Sequence, residues 1–258
     1  MYEILFQNSA ITIRTFNIVL ALGFLFSGAF LIKYTNRRMM DLSFLSRQVL
    51  GIFIGTLVCG RLFYIFENLS FFKESPLYAV FFWDLKFSFF GIIYGLAGLL
   101  YYRTRGTQED FWAWMDAAGF FLMMMLIFVN VGHFFDGSYY GIPTDLPWAI
   151  SFDTSNIPFV SPIHPTQLYA ALLAFVIWAY GTKRAKRIHI FGVVGARMIM
   201  LYSIGMLGID FLHGAPSLYA KVSYAILAAI SLIAMIHCSY RKHLDTTLPP
   251  TEEVTETP

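Results

Sequence analysis

The chain has 258 residues, of which 57% are hydrophobic, 18% aromatic and only 13% charged, with a formal net charge of +2. So little polar surface cannot cover a water-soluble globule, which assigns lipid as the solvent. The small excess of Lys and Arg sits in short segments between apolar runs, where it bears on membrane orientation and excludes nucleic acid as a partner.

The chain carries Glu3 and reaches its first apolar run without a basic leader or a small-residue cleavage site, so no removable signal peptide is expected. Stretches of about 20 apolar residues, the length that crosses a bilayer, are predicted at 12–32, 48–68, 78–101, 112–131, 165–181, 190–211 and 217–239. An all-α integral membrane protein with a seven-transmembrane-helix bundle follows. Arg14 opens the first span, placed to snorkel toward headgroups or to touch a lipid phosphate. Lys33, Arg37, Arg38 and Arg47 come next, against Asp41.

The second span holds Arg61 and Glu67. Arg61 is expected about ten residues from the inner end, near mid-membrane by the helical rise. As the only full charge read well inside an apolar run, it belongs in the protein interior and disfavours a channel or transporter. Cys59 and Cys238 both lie in apolar runs and form no CxxC pair, so they read as small hydrophobes. Asp84 and Lys86 fall in a solvated loop, and Arg103 and Arg105 follow the third span beside Glu109 and Asp110.

The fourth span ends in His133 and Asp136, three residues apart and therefore on one helix face. The loop at 132–163 contains Asp136, Asp145 and Asp153 but no Lys or Arg. It is punctuated by Pro143, Pro147, Pro158 and Pro162. Its run from Gly141 to Trp148, GIPTDLPW, reads as ordered turns with an interfacial aromatic, suited to capping a cavity. The fifth span is entered through Ser161-Pro-Ile-His-Pro-Thr-Gln-Leu-Tyr169, which places His164, Gln167 and Tyr169 where a polar loop meets an apolar helix. Lys183, Arg184, Lys186 and Arg187 follow it. Asp210 and His213 repeat the three-residue spacing at the end of the sixth span, and Arg241 and Lys242 follow the seventh. A body at 1–243 and a disordered acidic tail at 244–258 are expected.

Because Lys and Arg favour the cytoplasmic side, the N-terminus is placed outside and the C-terminus in the cytoplasm. His133, Asp136, His164, Asp210 and His213 then share the outer face. These donor types suit a divalent cation or a shared proton, and equally suit ordinary interfacial polar residues. With no HxH or HExxH spacing, no metal and no cofactor is expected.

HPTQLY ahead of an apolar helix, preceded by the Gly-x-Pro-Thr-Asp-Leu-Pro-Trp loop, resembles the prolipoprotein diacylglyceryl transferase family of bacterial inner membranes. The likeness extends to Ile13-Arg14, Gly60-Arg61-Leu62, Ser88-Phe89, Gly91, Asp116, Gly132, Gly137 and Gly141. It implies seven spans with the N-terminus outside and a periplasmic site. The implied reaction transfers a diacylglyceryl group from phosphatidylglycerol to a lipoprotein cysteine, releasing glycerol phosphate. In that family the work falls on a histidine in Ser-Phe-His-Gly-Gly, an arginine in Gly-Arg-x-Gly-Asn, an acidic residue shortly after it, and an arginine in the penultimate helix. This chain has Phe90, Asn130, Ser138 and Met206 at those places, with His133 and Asp136 at two asparagine positions and Asp210 at a glutamate. Thr15-Phe16-Asn17 replaces a Trp-Tyr-Gly pattern, and Ala170 follows HPTQLY where glutamate is usual.

Losing a positioned base typically costs 10²–10⁴-fold and losing a preorganised donor about 10²–10³-fold. The resulting expectation is a catalytically silent relative that binds a membrane lipid such as phosphatidylglycerol, a lipoprotein anchor or a partner membrane subunit. The candidate contacts are Arg14, Arg61, His133, Asp136, His164, Gln167, Tyr169, Asp210 and His213. An active transferase is one alternative, and a metal- or proton-dependent membrane enzyme built on the His/Asp set is another.

Overall fold

Each apolar run contains a helix, and several of the helix ends are set by local polar or glycine chemistry. The computed structural model describes residues 4–7, 12–80, 86–152, 157–188 and 190–247. Strands β1 (Ile4–Gln7) and β2 (Thr12–Arg14) form an antiparallel hairpin that leads into α1 (Thr15–Arg37). After it come α2 (Leu42–Glu67), α3 (Leu69–Glu74), a 3-10 turn at Pro76–Ala79 and α4 (Phe89–Thr104). The chain continues through α5 (Phe111–Asp136), α6 (Thr166–Ala185), α7 (Val193–Asp210) and α8 (Leu218–Thr247).

Helix starts follow capping chemistry. The Asp41 carboxylate accepts the Ser43 and Phe44 amides at 2.8 and 3.1 Å to open α2, and Asp110 accepts the Trp112 amide at 2.8 Å to open α5. Ser88 accepts the Gly91 amide at 3.3 Å to open α4. Gly137, at φ 74°, ends α5 in the left-handed conformation that terminates helices.

Five helices are long and apolar enough to cross a membrane: Thr15–Arg37, Leu42–Glu67, Phe111–Asp136, Val193–Asp210 and Leu218–Arg241. The third and fifth expected spans are helical but fall outside that set. The third shrinks from 78–101 to the 16 residues of α4, because Pro76 sets up a 3-10 turn and the helix starts only at its Ser88 cap. At about 1.5 Å per residue α4 reaches roughly 24 Å. The fifth, α6, carries Lys183 and Arg184 in its last turn.

Other boundaries move as well. The long loop begins at 137, since α5 runs through Asp136, and α8 continues to Thr247, past the expected tail boundary at 243/244. Residues 248–258, Glu3, Asp84 and Asp153 lie outside the described residues. The small hairpin qualifies the all-α expectation.

The core sits around α5, which packs on α1, α6 and α7, while α7 packs on α8 and α2 on α4. Trp114, Phe120, Met123, Met198 and Tyr202 are buried there. The α2–α4 contact depends on small residues: a Cβ on Gly91 would lie 2.5 Å from that of Phe63, and one on Gly95 would collide with Cys59. This Gly-x-x-x-Gly spacing lets two helices approach where hydrophobicity alone supplies no preference over lipid. A second close crossing joins α5 to α7, where Asp116, with no exposed surface, accepts the Gly195 amide at 2.6 Å. Asp116 therefore caps a neighbouring helix, and Arg61 is not the only ionisable side chain enclosed in a helix.

The basic connections gather at one end of the bundle. The Arg38 guanidinium donates to the Ala185 and Ile188 carbonyls at 2.6 and 3.1 Å, tying the α1–α2 turn to the α6–α7 turn. The segments around 140, 163 and 213 meet at the other end.

Candidate functional site

Three chain segments are laced together by backbone hydrogen bonds at that second end. Gly141 donates to the His164 carbonyl at 3.1 Å and His164 to Ile142 at 3.0 Å. Ile142 donates to Leu212 at 2.9 Å, and Gly214 to Tyr140 at 2.8 Å. Ile150 and Ile163 exchange a pair of bonds at 3.1 and 3.0 Å. The approach at Gly141 admits no side chain, since a Cβ there would lie 2.5 Å from the His164 oxygen and 2.9 Å from that of Leu212. The expected ordered cap is thus a woven platform.

The signature segment serves this platform. Trp148 Nε1 donates to Tyr169 Oη at 2.8 Å, and that hydroxyl lies 3.2 Å from His164 Nδ1. With the indole N–H filling one acceptor site, the phenol proton is free for Nδ1, which favours the His164 tautomer protonated at Nε2. Thr166 and Gln167, 2% and 1% exposed, reach across to the turn after α5. Thr166 Oγ1 donates to the Tyr139 carbonyl at 2.5 Å and Gln167 Nε2 to the Ser138 carbonyl at 2.6 Å. Asp136 Oδ1 accepts the Ser138 amide at 2.8 Å and steadies the same turn.

What these bonds hold is Tyr139 at φ 54°, a left-handed conformation that costs a bulky L-residue about 1–2 kcal/mol. Its ring stands 4.7 Å from His133 and 5.8 Å from His213. It keeps 61% of its surface accessible while packing on rings from two other segments. Burial pushes the phenol pKa up, and the Glu67 and Asp136 carboxylates add to the shift. Tyr139 was not singled out from sequence, and only its place in the segment Asp136-Gly-Ser-Tyr139 hinted at a tight turn.

The other candidates divide. His133 and Asp136 do form a pair, with Nδ1 and Oδ2 3.6 Å apart, and Phe16 packs on His133 at 5.1 Å. His213 joins them through Tyr139 and stacks on Tyr140 at 6.4 Å. Its Nδ1 accepts the Ala215 amide at 3.2 Å, while its Nε2 is enclosed without a hydrogen-bond partner. Asp210 is buried and meets Lys221 at 3.7 Å. Among the described residues, these five histidines and aspartates do not assemble into a group of three or more that could hold a metal.

Arg14 is exposed at the start of α1. Arg61 is 1% exposed and stands in the last third of α2, since that helix begins at Leu42. Its guanidinium donates to the Tyr78, Ala79 and Lys86 carbonyls at 2.7, 3.4 and 3.0 Å and lies over Tyr64 and Phe72, so it fastens the α2–α4 connection.

At the positions where the resemblance expects a base and an arginine, the side chains are committed to packing. Phe90, 6% exposed, contacts Tyr224 at 5.0 Å and Tyr219 at 5.9 Å between ring centroids. Asn130 Nδ2 donates to its own helix at the Leu126 carbonyl, 2.7 Å away, and its side chain also reaches Tyr202. Met206 packs on the core. A polar knot joins three helices nearby: Glu67 accepts the hydroxyls of Ser88 and, at 2.7 Å, of Tyr219.

Comparison with known proteins accords with this architecture. A phosphatidylglycerol–prolipoprotein diacylglyceryl transferase of Solidesulfovibrio magneticus is 33% identical over 152 residues, covering 57% of this chain and 56% of its own length. One of Haemophilus influenzae is 30% identical over 173 residues, covering 64% and 62%. The matched part thus spans less than two thirds of these relatives. One of Clostridium tetani is 27% identical over 225 residues, covering 84% and 87%. The sequence model for prolipoprotein diacylglyceryl transferase matches residues 3–240, and the chain belongs to that family of membrane proteins.

Proposed function

We propose that this protein is a seven-span inner-membrane member of the family that binds a lipid or a lipoprotein's lipid anchor at its platform end without carrying out diacylglyceryl transfer. The platform faces the periplasm, the N-terminus lies outside and the C-terminus in the cytoplasm, because the basic connections cluster at the opposite end. The observation that carries the reading is Phe90. It occupies the position of the family's histidine and is wedged among Phe89, Tyr219 and Tyr224, and its phenyl ring cannot take the proton of an attacking thiol. Asn130 and Met206 likewise offer no cation to a phosphate leaving group.

A second reading, an active transferase using phosphatidylglycerol and a prolipoprotein, is favoured by the family match over residues 3–240 and by the names of the relatives. One experiment separates the two. Purified protein is supplied with phosphatidylglycerol and a lipobox peptide, and glycerol phosphate release is followed alongside complementation of a transferase-depleted strain. Silence in both is expected; release above the protein-free blank, or growth, overturns the reading.

A further inference from the structure

At the end of the bundle opposite the platform, the turn from α6 to α7 carries charge that no carboxylate offsets. Lys183, Arg184, Lys186 and Arg187 follow one another along it, and no Asp or Glu occurs between positions 166 and 209. All four are exposed, and with Tyr180 they line a cavity of about 400 Å³. Cations in a row are by themselves an ordinary solvated face, but two further features of the fold converge on this cavity.

The first is Arg197, which α7 brings to the same place. Its half-buried guanidinium donates to Tyr180 Oη at 3.5 Å, and the Arg184 guanidinium lies 5.2 Å from the centre of the same ring. Tyr180 thus gathers cations from two helices, and among the described residues no salt bridge engages any of the five. Carboxylates on the neighbouring α5 are committed elsewhere. Asp116 accepts the Gly195 amide, Asp110 caps its own helix, and Glu109 accepts from Trp114 Nε1 at 2.7 Å. Mutual repulsion among these cations is relieved by an anion lying between them.

The second is the surface that leads to the cavity. Leu172, Val176 and Lys183 share one face of α6 by their spacing of four and seven residues. Leu172 and Val176 are 61% and 55% exposed, so an acyl chain laid along them ends at the cations. The charge also selects among phosphates. A phosphomonoester brings about −1.5 to −2 charges and three terminal oxygens, which several ammonium and guanidinium groups can share, whereas a phosphodiester brings a single charge.

We propose that the cavity formed by the end of α6 and Arg197 binds a phosphomonoester, presented by a phospholipid headgroup such as that of phosphatidic acid or by a free phosphate anion. The test uses the full chain in neutral-detergent micelles, with lipid binding read by native mass spectrometry. The probes are dioleoyl phosphatidic acid, dioleoyl phosphatidylglycerol and dioleoyl phosphatidylcholine, with inorganic phosphate as competitor. Phosphatidic acid binds at least about threefold more tightly than phosphatidylglycerol, and phosphatidylcholine more weakly than either. Arg197→Gln weakens phosphatidic acid by about 3- to 10-fold, as loss of a charge-assisted bond does, and Arg197→Lys recovers part of it. Lys183→Gln, at an exposed position, lowers affinity in the same direction with an unchanged melting midpoint. Arg105→Gln, which removes the same charge at the end of α4, leaves affinity unchanged. Displacement of the lipid by an equal concentration of inorganic phosphate assigns the site to the free anion, and displacement only at large excess assigns it to the lipid. Equal or tighter binding of phosphatidylglycerol overturns the phosphomonoester assignment. The site itself is overturned by an equal loss in Arg105→Gln, by full affinity in both Arg197→Gln and Lys183→Gln, or by failure of phosphatidic acid and phosphate alike to bind.

Discussion

At the scale of single residues, Tyr139 stands out by its backbone conformation and by the bonds that hold it. Tyr139 adopts a conformation suited to glycine, and the two buried donors of the signature segment hold it there. Tyr139→Gly therefore raises the thermal midpoint, by the equivalent of about 1 kcal/mol. A melting scan in detergent checks it, and a lowered midpoint would show that the ring's packing outweighs the strain. Asp41 illustrates a different local effect. The Ser43 hydroxyl, then the Ser43 and Phe44 amides and Arg47, hold its carboxyl below the usual carboxylate range. Because the folded-state value is depressed, the stability it contributes is present above the unfolded-state value of about 3.9 and is lost as pH falls through the lower folded-state one. The difference in melting midpoint between wild type and Asp41→Asn accordingly closes on acidification below that range, and a gap that persists there would refute the assignment.

Helices in this protein are joined by small residues and by polar groups offered from one helix to another. Asp116 on α5 caps the start of α7, whose own preceding residue, Gly192, has no side chain to do so. Asp116→Ala leaves the Gly195 amide unsatisfied away from water and lowers stability by about 1–3 kcal/mol, measured by thermal unfolding in detergent. Asp116→Asn, which keeps an acceptor oxygen, loses less. Between α2 and α4 the Gly91 and Gly95 surfaces allow contact with Phe63 and Cys59. Gly95→Leu forces those helices apart, and a cysteine cross-linking pair placed across α2 and α4 loses its reactivity. The helical runs were legible in the sequence because each has an apolar stretch, long enough in five of them to cross a membrane. Their ends were not, since caps such as Ser88, Gly137 and Gly192 each depend on a single residue.

On the scale of the whole molecule, the interior beneath the platform is closed by packed side chains. Phe90, Asn130 and Met206 form aromatic, helix-internal and apolar contacts at the places where the resemblance implies a histidine and arginines. Restoring a single group does not supply the others that the implied reaction requires. Phe90→His alone is therefore expected to leave the lipobox assay silent, and measurable turnover in that variant would show that the surrounding residues remain competent.

The amino-acid sequence by itself determined membrane residence, the order of the helices, the family and the clustering of basic connections, because hydrophobic length and charge distribution act locally along the chain. The tertiary structure alone decided which polar residues meet. His133 pairs with Asp136 across one helical turn, as their spacing required, but Thr166 and Gln167 act on Tyr139 and Ser138 almost thirty positions earlier in the chain. Arg61, read as a mid-membrane charge, is a fastener for a connecting segment. Such contacts depend on where helices end and how closely they approach, and no local pattern of residue types encodes that distance.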